Sequence, residues 1–424
     1  MKSLSNKNGS FPKLSGSQRF PVVLNANVNC FVRGGSDRYF FFLSDVLRKH
    51  GHAVIPFAAR QKNDESTPWA SFFPRAIDLN SSNFSNVLQF LFSLPARKAI
   101  KRLINYSRPD IAHFNIYYGQ LTAAIIKPLK DAGIPIVQTL HDYRLVCPVA
   151  SLVSNGRICQ DCEGHKFWRA IFKKCNRRSF LRSILSVVEV YFSQIFGSRD
   201  RVDHFIAPSE FSRKKHIELG IPAEKISVIP NFIDSANLNK ESRNLGEYFL
   251  YFGRIEKNKG IFTLLEAFAD IQHVPLLIVG AGESFEEVQK LIKQKSLRHI
   301  QLLGFRQGKE LERLIEKSIC TLIPSECYET FGLTILESFV YSRPVIGSRI
   351  GGIPEVITDK VDGFLVDPGN AHQLKEKVLW LVENPREAIK MGAAGREKTE
   401  RLFNSEVYYQ KLMGVYQKVL NHHL

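Results

Sequence analysis

The chain has 424 residues, 44% of them hydrophobic, which is too long for one ordinary core and fits two α/β domains. It has no run of about 18 apolar residues, which argues against a membrane-spanning helix, and residues 1–19, rich in Ser, Lys, Gly and Asn, lack the apolar stretch of a signal peptide, so a disordered, cytoplasmic start is expected. The formal charge of +17 falls entirely within residues 1–230 and leaves 231–424 neutral; without a zinc-finger or RNA-recognition pattern, that basic half suits an anionic membrane surface or substrate better than nucleic acid.

Phe20 to Val28 begins as an apolar strand, Arg33-Gly34-Gly35-Ser36-Asp37 is a glycine-rich loop, and Tyr39 to Lys49 is an amphipathic helix. Such a loop brings backbone N–H groups, that of Gly35 included, against a phosphate or a sugar. Pro95 to Tyr106 predicts a basic helix. Pro109 to Phe114 and Ile134 to Leu140 read as short parallel strands whose carboxyl ends face a ligand crevice, the second delivering His141 and Asp142. His113 reads as a structural hydrogen-bonder.

Cys147, Cys159, Cys162 and Cys175 follow, with Cys-x2-Cys spacing in the middle pair. In a reducing compartment four clustered thiols predict a tetrahedral structural zinc site; four separate core cysteines, with a redox-active pair among them, are the other reading. Phe167 to Arg201 predicts a basic amphipathic helix, suited to the interface of an anionic membrane or to covering an ordinary core. Val202 to Pro208 is a further strand. The first domain is therefore placed at 20–230, with a basic, Cys-containing insertion at about 143–200.

The second domain, 231–405, opens with a strand, Tyr248 to Phe252, that delivers Gly253 and Arg254 to a crevice before Lys259-Gly260 starts a helix. Two cations five positions apart on one loop suit a diphosphate, Arg as a fork and Lys as a point charge. Ile300 to Leu303 leads to Gly304 and Phe305. Cys320 to Pro324 is a buried strand, and Phe331 to Val340 has helical spacing with Thr330 as its cap, so Glu329 lies in the loop and Glu337 in the helix. The N–H groups of Phe331, Gly332 and Leu333 open that helix beside Glu329. The remaining residues, 406–424, form a last helix.

These segments together resemble the retaining glycosyltransferase family 4 of the GT-B fold, two facing Rossmann-like domains with an interdomain active-site cleft; Glu329 and Glu337 match its Glu-x7-Glu motif. The resemblance covers about residues 20–420. It implies that Arg254 and Lys259 bind the pyrophosphate of a nucleotide-diphosphate sugar, that Gly304 and Phe305 accept the base through their backbone, and that Glu337 accepts ribose hydroxyls. By the same resemblance Gly35 belongs to the family's first loop, Glu329 with Phe331, Gly332 and Leu333 holds the sugar, and His141 faces the reacting centre. The last helix would cross back to the first domain.

What the resemblance implies is a hexosyltransferase-type enzyme that moves a sugar to a saccharide or lipid-linked saccharide acceptor in the building of a cell-surface polysaccharide or glycolipid. Metal-independent chemistry, with no cofactor required for catalysis, is expected, because no Asp-x-Asp sequence occurs to carry a divalent metal. The basic first domain then predicts peripheral attachment to the inner face of the cytoplasmic membrane. The alternatives are a nucleotide-sugar epimerase or phosphorylase on the same fold, a transferase acting on a soluble anionic acceptor, and a non-catalytic polysaccharide-binding or assembly protein.

Overall fold

The structure, a computed structural model, describes residues 20–78, 84–234 and 246–423. The start expected to be disordered, residues 1–19, lies outside them. In the first half the chain runs β1 (Val23–Ala26), α1 (Gly35–Lys49), β2 (Val54–Phe57), α2 (Phe84–Leu91), α3 (Leu94–Ser107), β3 (Ile111–Phe114), α4 (Ile126–Asp131), β4 (Ile136–Thr139), β5 (Val153–Ser154), β6 (Arg157–Ile158), α5 (Arg169–Phe172), α6 (Phe180–Ile195), β7 (His204–Ala207), α7 (Glu210–Glu218) and β8 (Ile226–Val228). The second half adds β9 (Tyr248–Phe252), α8 (Ile261–Phe268), β10 (Leu276–Val279), α9 (Phe285–Gln294), β11 (Ile300–Gly304), α10 (Gly308–Glu316), β12 (Ser318–Ile323), α11 (Leu333–Phe339), β13 (Val345–Ser348), α12 (Ile353–Val356) and β14 (Gly363–Val366). Three helices close the chain: α13 (Ala371–Glu383), α14 (Pro385–Leu402) and α15 (Ser405–Asn421).

Strands β1 to β4 and β7, β9, β10 and β14 are buried along their whole length, the pattern of parallel strands covered on both faces. Together with β8, β11, β12 and β13 they pair into two six-stranded parallel sheets, ordered β2-β1-β3-β4-β7-β8 and β11-β10-β9-β12-β13-β14. The second sheet is doubly wound, and its order reverses between β9 and β12. A crevice opens at such a switch point, beyond the carboxyl ends of those two strands. The first sheet reverses between β1 and β3. Both crevices face the groove between the halves.

Helix α15 returns across the first sheet. Tyr408 on α15 meets Tyr39 of α1 edge-on at 5.9 Å between centroids, and Tyr416 Oη lies 2.7 Å from His113 Nδ1. His113 has its structural role there, with its Nε2 bonded to Thr139 at 2.8 Å. Phe232, in the connection between the halves, stacks on Tyr408 at 4.2 Å.

Two sequence expectations are corrected. The single amphipathic helix expected over Phe167 to Arg201 is two helices, α5 and α6, separated by a bend in which Lys174, Arg177 and Arg178 take positive φ. Ser179 caps α6 by accepting the Arg182 N–H, which fixes where the chain turns back into helix. The cap expected at Thr330 is also displaced: α11 starts at Leu333, and its N-cap is Gly332 at φ +96°, a conformation that favours glycine. Thr330 donates its hydroxyl instead to the main-chain oxygen of His141, 3.2 Å away across the groove.

Candidate active site

The loops after β9 and β12 lock together at the switch point of the second sheet. Gly260 has φ +72°, and a Cβ there would stand 1.7 Å from the Pro324 oxygen, so only glycine lets the two loops approach. The Glu326 N–H donates to the Asn258 oxygen at 2.9 Å, and Thr263 Oγ1 donates to the Glu326 carboxylate at 2.5 Å. This docking sets Lys259 Nζ 2.6 Å from Glu329 Oε1, with Ser325 Oγ also 2.6 Å from that oxygen. Both charged side chains are largely buried, 17% and 18% exposed.

Burial alone would raise the Glu329 carboxyl, but Lys259, the Ser325 hydroxyl and Arg254 outweigh it and hold the group below the usual range. Burial likewise pulls Lys259 down, and Glu329 more than restores it. The pair is therefore charged. Arg254, by contrast, is 64% exposed and pairs with Glu256 at 3.1 Å. Behind the pair, Gly352 donates its N–H to the Glu329 oxygen at 2.8 Å, so the Gly351-Gly352 turn buttresses the loop.

Glu337, eight positions on, is buried on α11 and paired with Arg38 of α1 across the groove. Gly35 begins α1 one turn before Arg38. Asp37 does not face a ligand. Its carboxylate accepts the Arg33 and Gly34 N–H groups, each at 3.0 Å, and the Asn27 amide at 2.8 Å, and so shapes the glycine loop. Gly304, at φ +74°, ends β11 on the same carboxyl edge as the Arg254 loop, with Phe305 half exposed beyond it.

His141 lies opposite, after β4. Its Nε2 is 3.0 Å from Asn115 Oδ1. The Asn115 amide nitrogen already donates to Asn25 Oδ1 at 2.8 Å and to the Ala26 oxygen at 3.1 Å, so its oxygen must be the acceptor and His141 must carry its proton on Nε2. Nδ1 is left as the basic atom. The edge of Tyr39 packs on the imidazole at 4.7 Å, and burial pushes its pKa down to about 3, keeping it neutral.

The structure thus brings together Lys259, Glu329, Phe331, Gly332 and Leu333 on one side and faces them with His141 through Thr330. Sequence reasoning missed Asn115, Arg38 and Glu355. The Glu355 carboxylate, from the second half, accepts the N–H groups of Glu210 and Phe211 at 2.8 and 2.6 Å, while Ser209 Oγ donates to the Thr330 oxygen at 2.6 Å. Asn115 carried a legible signal as the polar residue directly after β3, at the edge where ligands sit. Arg38 and Glu355 act across the groove and had none.

Cys147, Cys159, Cys162 and Cys175 line one small cavity together with Val146, Val149, Leu152 and Ala170. All four are free thiols, and Cys175 Sγ reaches Ser154 Oγ at 3.5 Å. Burial pushes Cys162 up to about 12 and raises Cys147 and Cys175 too. Among the described residues no three His, Cys, Asp or Glu side chains are arranged to hold a metal ion. The expected zinc site therefore has its residues in proximity without a ligating set.

Comparison with known proteins matches both halves. Residues 33–237 match the family model for Glycosyltransferase Family 4 and residues 235–398 that for Glycosyl transferases group 1. An uncharacterized glycosyltransferase of Methanocaldococcus jannaschii is 30% identical over 185 residues, 43% of this chain and 52% of that protein. O-antigen chain mannosyltransferase C of Escherichia coli is 26% identical over 207 residues, 46% of this chain and 56% of that protein. The chain thus spans about half the length of these curated relatives. Anabaena HepE, solved in complex with UDP and glucose, superimposes with a TM-score of 0.69 over 94% of this chain and 100% of its own, at 17% identity, which is a likeness of fold.

Proposed function

We infer that this chain, built from the family 4 and group 1 glycosyltransferase domains on a GT-B fold, transfers a hexosyl unit from a nucleotide-diphosphate sugar to a saccharide acceptor carried on a lipid, with retention of anomeric configuration. The setting is the assembly of a cell-surface polysaccharide or glycolipid, in keeping with the O-antigen role named for the Escherichia coli relative. One observation carries the reading: at the switch point of the donor-side sheet, a largely buried Lys259–Glu329 pair and an exposed Arg254 lie opposite a neutral histidine.

In this reading Arg254 and Lys259 bind the diphosphate. Their fixed charge stabilises it as it leaves, an electrostatic contribution that needs no metal ion. Glu329 turns from Lys259 towards the sugar hydroxyls, with the N–H groups of Phe331, Gly332 and Leu333 beside it. Glu337 takes the ribose hydroxyls and Gly304 and Phe305 the base, while the Gly35 loop meets the acceptor side. The bond from the anomeric carbon to phosphate oxygen breaks and that from the carbon to the acceptor oxygen forms on the same face. The acceptor proton passes to a phosphate oxygen, so no covalent nucleophile is needed. His141, neutral and fixed by Asn115, offers Nδ1 to a sugar hydroxyl.

The test is a panel of UDP-, GDP- and ADP-sugars, screened for protection against thermal unfolding and then incubated with lipid-linked saccharides. One nucleoside diphosphate released per glycoside formed, with the donor's anomeric configuration by NMR, supports the reading. Isomerised or phosphorolysed donor without a glycoside would overturn it.

A further inference from the structure

The first half carries an apolar surface that the transfer chemistry does not use. On α6, Leu181, Leu185, Val188, Phe192 and Ile195 recur at helical spacing along one face, while Val187 and Val190 are buried on the other. Leu181 is 76% and Ile195 73% exposed. Helix α5 packs beside α6 and adds Trp168 and Phe172, the latter 75% exposed. Helix α2 packs on α6 as well, joined by Phe92 against Phe196 at 4.3 Å, and exposes Phe84 and Leu88. Three neighbouring helices thus leave large apolar side chains in water, more than scattered surface residues explain.

Charge identifies what covers this face. Residues 166–182 contain seven Lys or Arg and no Asp or Glu. The bend between α5 and α6 holds the backbone of Lys174, Arg177 and Arg178 at positive φ and keeps all three exposed between the apolar helices. Among the described residues Lys174, Arg178 and Arg182 make no ion pair. A second copy of the chain on a twofold axis would set this cationic cluster against itself. Aromatic and aliphatic side chains interleaved with unpaired cations match the interface of an anionic bilayer, where rings sit at headgroup depth and cations meet lipid phosphate.

We propose that α2, α5, α6 and the basic bend form a docking surface for an anionic lipid bilayer, held by inserted Phe172 and Leu181 and by Lys174, Arg178 and Arg182 at the headgroups. The surface is tied to the active site. Glu189, on the buried face of α6, pairs with Arg144, three residues beyond His141, and Gln194 reaches the Leu145 oxygen at 3.5 Å. Helix α6 therefore stands between a bilayer on its outer face and the segment that carries His141, and on the proposed function a lipid-borne acceptor would be delivered from that side.

The test is flotation of the full chain with vesicles of phosphatidylcholine alone or with about 30% phosphatidylglycerol, read separately from transfer activity. The wild type should bind the anionic vesicles at low ionic strength and leave them at about 0.5 M NaCl. Lys174→Gln/Arg178→Gln/Arg182→Gln should bind about 100-fold more weakly, since each cation near an anionic surface contributes about five-fold. Phe172→Ser/Leu181→Ser should weaken binding while nucleotide protection against unfolding stays unchanged, which reports an intact fold and donor site. Equal partition to both vesicles, or wild-type binding by both variants, would overturn the proposal. So would a wild-type dimer that Phe172→Ser/Leu181→Ser converts to a monomer.

Discussion

Lys259 Nζ lies 2.6 Å from Glu329 Oε1, so the cation assigned to the diphosphate is neutralised by the carboxylate assigned to the sugar until a donor arrives. Binding must trade one ion pair for another. Removing one partner should therefore cost more stability than removing both. Lys259→Met leaves a mostly buried carboxylate unpaired and should lose about 3 kcal/mol in urea unfolding, and Lys259→Met/Glu329→Gln should recover most of it. The single variant's loss should shrink as pH falls, because its Glu329, no longer depressed, takes a proton in the folded state.

Asn115 is predicted to act as a positioning residue through His141. Asn115→Asp places an anion on the Nε2 proton and raises the imidazole pKa from its depressed value. The rate profile should acquire an acid limb near neutrality that wild type lacks, with nucleotide affinity unchanged. His141→Ala should lose most turnover and keep nucleotide binding. A structural role alone would lower stability without moving the pH profile.

The carboxylate of Glu355 caps α7 from the opposite half and so links the two halves across the groove. Glu355→Ala should cost about 1 kcal/mol, the usual worth of a helix cap, and enlarge the radius of gyration in small-angle scattering of the ligand-free chain. An unchanged radius would show that Ser209 and Thr330 suffice to hold the halves together.

Acid should destabilise the first half before the second. Burial pushes His113 down to about 3 and His204 and His216 to about 4, all in the first half. These folded values lie below the unfolded one, so unfolding takes up protons as pH falls beneath about 6.5, and each histidine costs about 1.4 kcal/mol per pH unit until its folded value is reached. Unfolding curves between pH 7 and about 4.5 should show midpoints falling first for probes in the first half.

The strands and the donor loop were legible because their signals are local. Tyr248 to Phe252 is a continuous apolar run, and Arg254, Lys259 and Gly260 follow at fixed spacing, so the strand, the loop and its charges appear together in the sequence. The pairing of Lys259 with Glu329 was not legible, since 70 residues separate them and it takes the docking of the two loops, through Gly260 against Pro324 and Glu326 against Asn258 and Thr263, to bring them together. The bend between α5 and α6 was missed because Phe167 to Arg201 keeps its amphipathic composition while Ser179 resets the helix. The β5–β6 hairpin was also missed, although its Asn155-Gly156 turn, both residues at positive φ, is a strong local signal.

The donor site is tested most directly by calorimetric titration of UDP, GDP and ADP into the wild type, Arg254→Ala and Lys259→Ala. The account predicts that one of the three binds the wild type and that each variant binds it more weakly by roughly 1.5–3 kcal/mol, about 10- to 150-fold, the worth of a charge-assisted phosphate contact. Unchanged affinity in both variants, or no binding of any of the three nucleotides to the wild type, would contradict it.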